Sequence, residues 1–74
     1  MPLQMLGHST DIDSDKAGII AREFFMKNYT SFIIINIILK HDIWFVKGFV
    51  TSFGKQSIRV IAIESKTGRI ISSE

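Results

Sequence analysis

The sequence predicts an α+β domain in which one N-terminal helix packs on a four-stranded antiparallel β-meander. Residues 14–28 repeat apolar side chains at helical spacing. From Ser31 onward the chain is rich in β-branched and aromatic residues, and short polar turns divide it into four runs. A chain of 74 residues has room for one domain. We place that domain at residues 13–74, behind a flexible N-terminal arm of residues 1–12.

The helix is expected from about Ser14 to Asn28. Asp13 or Ser14 can cap its start, because a side-chain oxygen there accepts a free backbone N–H of the first turn. Asn28 is the expected C-cap, and Gly18 predicts a close contact between the helix and the backbone of the sheet. The apolar face consists of Ala17, Ile20, Ala21 and Phe24, widened by Ile19 and Phe25.

Strands are predicted at residues 31–40, 43–53, 57–65 and 69–73. His41 and Asp42 form a two-residue hairpin loop between the first two strands. Gly54–Gln56 is expected as a three-residue loop between the second and third strands. In the last turn, Lys66–Gly68, the glycine can take the positive φ that a bulged loop needs.

These loop lengths predict which residues of the sheet lie side by side. The first loop pairs Ile35 with Gly48, and the second pairs Gly48 with Ala62. Because side chains alternate along a strand, one face then becomes almost wholly apolar. We predict that Gly48 and Ala62 form a dent in it that receives the helix. This predicted core face is Ile33, Ile35, Ile37, Leu39, Trp44, Val46, Gly48, Val50, Ile58, Val60 and Ala62.

The opposite face also carries more apolar side chains than a solvated face needs. A sheet with one wet face alternates apolar and polar residues, and monomers seldom expose an apolar patch larger than a few hundred Å². The candidates to cover it are a second copy of the chain, the arm with Leu3, Met5 and Leu6, or another protein. A twofold homodimer is favoured, because it is the commonest oligomer. The predicted interface residues are Phe32, Ile34, Phe45, Lys47, Phe49, Phe53, Arg59, Ile61 and Ile63.

Binding of single-stranded nucleic acid is the alternative function for the same face. Phe45, Phe49 and Phe53 would share it with Lys47 and Arg59, and aromatic rings flanked by cations form a stacking platform for bases. Isoleucines, which cannot stack on bases, crowd the same face. The net charge of +2 is also small for a nucleic-acid-binding protein. We therefore rank burial in a homodimer first.

The strand pattern of the C-terminal half resembles that of PepSY-like domains. A tryptophan-bearing strand (Trp44) and a further strand are followed by Glu64 and the Lys66–Gly68 turn, which leads into the last strand. Glu64 stands where that family has an aspartate. The resemblance covers roughly residues 14–73 and implies a small cystatin-like α+β unit. It also implies a binding or peptidase-regulating module.

No residue pattern in the chain is typical of an enzyme, a cofactor site or a metal site. There is no cysteine, and the two histidines, His8 and His41, are far apart in sequence. His41 and Asp42 are read as turn residues. The alternating aspartates of Asp11–Asp15 start like a calcium loop, but the glycine and the final glutamate that such a loop needs do not follow. We predict a non-enzymatic protein without a cofactor.

The chain is not expected to associate with a membrane. Its longest apolar run, Phe32–Leu39, is much shorter than the roughly 20 residues that span a bilayer. The N-terminus lacks the basic and apolar regions of a signal peptide. A cytoplasmic location is therefore the expectation.

Overall fold

A computed structural model of the chain describes residues 11–74. The predicted fold class is confirmed, since one helix packs on one side of a four-stranded antiparallel sheet with strand order β1-β2-β3-β4. Residues 1–10 of the predicted arm lie outside the described residues. The elements are α1 (Ser14–Asn28), β1 (Ser31–Lys40), β2 (Ile43–Ser52), β3 (Lys55–Glu64) and β4 (Ile70–Ser73).

Helix α1 has the predicted bounds, and its two ends are satisfied in different ways. Asp13 is the N-cap, and its Oδ1 accepts a hydrogen bond from the backbone N–H of Lys16 at 2.9 Å. The prediction of Asn28 as the C-cap is wrong by one residue, because extended Tyr29 ends the helix. Asn28 Nδ2 instead donates to the carbonyl oxygen of Phe24 at 2.7 Å, one turn back along the helix.

The buried side of α1 is centred on Phe25 rather than on Ile20 and Phe24, which are only partly buried. The buried residues of the helix are Ala17, Gly18, Ala21 and Phe25. Gly48 is a packing glycine, as predicted: a Cβ there would lie 2.7 Å from the Phe25 ring, which occupies that space. The predicted contact at Gly18 is with a side chain rather than with sheet backbone, since an added Cβ would lie 3.3 Å from Ile37 Cδ1.

The pairing of β1 with β2 follows the prediction only near the hairpin. His41 and Asp42 form the two-residue loop, and Lys40 pairs with Ile43. A β-bulge between Ile34 and Asn36 then shifts the register, so that Ile34 rather than Ile35 pairs with Gly48. One extra residue moves every earlier side chain of β1 to the other face.

The pairing of β2 with β3 differs from the prediction along its whole length. The loop contains two residues, Phe53 and Gly54, and Gly48 pairs with Arg59 rather than with Ala62. The observed partner of Gly48 lies an odd number of residues before the predicted one, so each side chain of β3 lies on the opposite face of the sheet from the one predicted. Ile61 and Ile63 therefore lie in the core under α1, where both are fully buried.

The Phe53–Gly54 turn holds a bulky residue in a left-handed conformation. Both residues have positive φ, 53° and 77°, as in the turns that suit two-residue hairpins. His41 and Asp42 also have positive φ, but histidine and aspartate are enriched in this region of φ/ψ space, whereas a bulky residue there is an outlier. Such a conformation costs on the order of 1–3 kcal/mol.

The last turn confirms the expectation for Gly68, whose φ is 77°. The backbone N–H of Gly68 donates to the carbonyl oxygen of Glu64 at 2.8 Å, and the Thr67 hydroxyl donates to Glu64 Oε1 at 2.7 Å. β4 pairs with β3 only over Ile61–Ile63, and Glu74 continues the pairing at Val60. Within the described residues, the rest of this edge of β3 has no strand partner.

Candidate interaction surfaces

The side of the sheet opposite α1, called the outer face, is apolar over most of its area. Ile33, Ile38 and Ile58 are 66%, 50% and 57% exposed, and the rings of Phe45 and Phe49 are partly exposed beside them. Among the described residues, no helix or strand lies over it. The residues of the outer face are Ser31, Ile33, Asn36, Ile38, Lys40, Ile43, Phe45, Lys47, Phe49, Thr51, Gln56, Ile58, Val60, Ala62 and Glu64.

Lys47 lies at the centre of the outer face in a row that crosses β1, β2 and β3 and ends at Glu74, directly after β4. It pairs with Asn36 on one side and with Val60 on the other. Val60 and Glu74 exchange two backbone hydrogen bonds of 2.8 Å each, so the Glu74 side chain lies on the same face. A cation in the middle of the face is thus separated from a carboxylate by one strand. A shallow hollow of about 310 Å³ lies beside Lys47.

The structure separates the predicted interface residues into two groups. Phe45, Lys47 and Phe49 lie on the outer face as predicted. The assignment of the other strand residues to this face is wrong. The bulge in β1 moves Phe32 and Ile34 to the helix side, and the observed register of β2 with β3 moves the three residues of β3 there. The residues on the helix side are Phe32, Ile34, Arg59, Ile61 and Ile63, and Phe53 lies in the turn.

Sequence reasoning misses the outer-face residues Ile33, Ile58, Val60 and Ala62 by assigning them to the core, so the predicted dent under the helix contains Gly48 but not Ala62. A phenylalanine followed by glycine can be a two-residue turn, because glycine supplies the positive φ of the second position. Reading Phe53–Gly54 in this way would place Ile58, Val60 and Ala62 correctly. The bulge that exposes Ile33 has no comparable signal in the sequence.

A second site, called the hairpin-end site, lies on the helix side of the sheet where β2 and β3 meet. It is a concavity of about 480 Å³. Two aromatic rings, two cations and several hydroxyl or amide groups line it, and its lining contains no carboxylate. The lining residues are Tyr29, Ser52, Phe53, Lys55, Gln56, Ser57 and Arg59.

Within residues 11–74, the structure brings together no three side chains of the types that ligate metals. His41 and Asp42 are exposed turn residues, as the sequence predicts. Over the same residues, no helix has the length and apolar character needed to cross a membrane.

Comparisons with models of known protein families, with curated proteins and with solved structures find no match for this chain. The PepSY-like resemblance stays a prediction. Its residues have structural tasks in this chain: Trp44 Nε1 donates to the carbonyl oxygen of Ile12 at 3.1 Å, and Glu64 accepts the hydrogen bond from Thr67. These bonds attach the start of the domain and close the last turn.

Proposed function

We propose that the protein is a small non-enzymatic interaction module that forms a homodimer through the outer face. The observation that carries this proposal is the exposure of Ile33, Ile38 and Ile58 around the rings of Phe45 and Phe49. Burying apolar surface is favourable by roughly 25 cal/mol per Å². A patch of this kind on a small domain is typical of a protein–protein contact.

The size of the outer face supports a second copy of the chain as its partner. β1, β2 and β3 contain ten residues each. Strands about 5 Å apart that rise about 3.4 Å per residue give an area of roughly 500 Å². Two such faces bury about 1,000 Å², the lower limit for a specific interface. In a twofold dimer the same patch supplies both halves.

Lys47 restricts how two outer faces can meet. A face-to-face dimer buries this cation at its centre, where an unpaired charge is strongly unfavourable. A twofold axis parallel to the strands, between β2 and β3, lays β2 of one protomer over β3 of the other. Lys47 then lies over the partner's Val60 and beside the partner's Glu74. An axis perpendicular to the strands would instead lay β2 on β2 and bring the two lysines together.

A charge exchange tests this arrangement. Lys47→Glu alone and Glu74→Lys alone should each weaken the dimer at least about tenfold, since each leaves like charges facing across the interface. An equimolar mixture of the two variants should form heterodimers, because the mixture again allows opposite charges to face each other across the interface. Sedimentation of variants of different tagged mass measures the three association constants. If the heterodimer had an association constant no larger than that of either variant alone, the proposed position of the axis would be wrong. The homodimer of the wild-type chain would not be contradicted by that result.

The homodimer itself is tested on the unmodified chain. Light scattering or sedimentation at micromolar concentration should give twice the chain mass of 8.4 kDa. The dimer should persist at high salt, because apolar burial rather than surface charge holds it together. A single species of 8.4 kDa under these conditions would refute the homodimer.

A nucleic-acid platform on the outer face is less well supported than the homodimer. Arg59 and Phe53 do not lie there, which leaves Lys47 among isoleucines. A PepSY-like regulatory or binding role remains part of the proposal, as does a cytoplasmic location, which rests on the cysteine-free composition.

A further inference from the structure

Phe53 occupies a position where its ring contributes nothing to the fold. The residue is 98% exposed and has a φ of 53°. Turns of this geometry prefer asparagine at the first position and glycine at the second. The chain therefore holds an aromatic ring in solvent at a position where asparagine would be less strained. Strain retained at an exposed position is a reason to look for a binding role.

The surroundings of Phe53 are polar and cationic. The ring shares the hairpin-end site with the cations Lys55 and Arg59, with Tyr29, and with the hydroxyl groups of Ser52 and Ser57. The site is also open along one side. Within the described residues, β4 and Glu74 pair with β3 only from Val60 onward, so the segment 55–59 has a free edge.

We propose that the hairpin-end site binds single-stranded nucleic acid. Phe53 stacks on a base, which needs an accessible ring face and an unpaired base. Lys55 and Arg59 contact phosphates, and their side chains lie on the same side of β3. Ser57, whose side chain lies on the same side of β3, can hydrogen-bond to a base edge. An apolar peptide would instead require apolar neighbours around the ring, and the lining residues other than Phe53 and Tyr29 are polar or charged.

This site is independent of the proposed dimer. Lys55, Ser57 and Arg59 point to the side of the sheet that carries α1, whereas dimerisation uses the outer face. Both copies in a dimer therefore keep the hairpin-end site free. Loss of one activity leaves the other measurable, so this inference goes beyond the proposed function.

Phe53→Asn separates binding from folding. Asparagine suits the left-handed position, so the variant removes the ring while relaxing the turn. We expect its Tm to rise by about 4 °C. Its affinity for a fluorescein-labelled oligothymidylate of about 15 nucleotides should fall about tenfold, the loss of one stacked base. The measurement is fluorescence anisotropy on the full chain at two salt concentrations.

Arg59→Gln tests the phosphate contact, and Lys66→Gln is its matched control. Both variants lose one positive charge, but Lys66 lies in the last turn, outside the hairpin-end site. Arg59→Gln should weaken binding and reduce the slope of log K against log salt by about one. Lys66→Gln should leave both nearly unchanged. Equal losses in the two variants would overturn the proposal, since they would indicate attraction by net charge alone.

Three further results would overturn the proposal. The first is the absence of oligothymidylate binding at about 50 mM salt. The second is equal affinity of Phe53→Asn and the wild type for the oligothymidylate. The third is binding to phosphatidylserine vesicles that Phe53→Asn abolishes, without binding to the oligonucleotide. That result would assign the ring to a lipid surface.

Discussion

Phe49→Lys is expected to convert the homodimer into a monomer at micromolar concentration. Phe49 lies in the outer face between its strand partners Ile33 and Ile58, both more than half exposed. A lysine there removes a large apolar contact from both protomers at once. It also places a cation in an apolar row, and a buried charge without a partner costs about 3–5 kcal/mol. Sedimentation equilibrium should show the change in mass.

Met26→Lys is the matched control for this experiment. Met26 is 65% exposed on α1, on the other side of the sheet, so the same gain of charge should leave the dimer intact. Circular dichroism should show that both variants keep the native secondary structure. A folded Phe49→Lys variant with unchanged mass would show that the outer face is not the interface.

Gly48→Ala is expected to destabilise the fold strongly, although it adds only one methyl group. The new Cβ would lie 2.7 and 2.8 Å from Cε2 and Cζ of Phe25, and that ring is fully buried. It cannot move without displacing the core around it, and overpacking of this kind costs about 1–3 kcal/mol. For a domain of this size the Tm should fall by roughly 10 °C. Thermal unfolding followed by circular dichroism measures it.

Gly18→Ala makes the same substitution at a position where the neighbour can yield. The added Cβ would lie 3.3 Å from Ile37 Cδ1, the flexible end of a side chain. Alanine also favours a helix interior over glycine by about 1 kcal/mol. The variant should be at least as stable as the wild type. If both alanine variants lost stability equally, the close packing of Phe25 on Gly48 would not be the cause.

The elements of the fold can be predicted because each has a local cause. The bounds of α1 follow from the capping aspartate and from apolar side chains at helical spacing. The strands follow from β-branched and aromatic runs between turns, and the left-handed Gly68 follows from the demand for positive φ. Gly48 is recognisable as a packing glycine, although the ring that fills its space belongs to Phe25.

The candidate sites can be predicted only in part. The sequence places Phe45, Lys47 and Phe49 correctly because they lie on β2, whose alternation is unbroken. The hairpin-end site escapes prediction because it depends on the position of Phe53, which the sequence assigns to the end of a strand. Phenylalanine is so unusual in a left-handed turn that a loop led by Gly54 is the better expectation from sequence.

The sequence by itself determined which residues form the helix and the strands, the order of those elements, and the excess of apolar side chains over what one core can bury. Only the tertiary structure decided which side chains face α1. A strand has a period of two, so the bulge before Asn36 and the two-residue Phe53–Gly54 loop each exchange the two faces. Local propensity is the same in either register. Core packing selects the observed register, because only in this pairing does Phe25 pack on Gly48 while Ile61 and Ile63 are buried beside it.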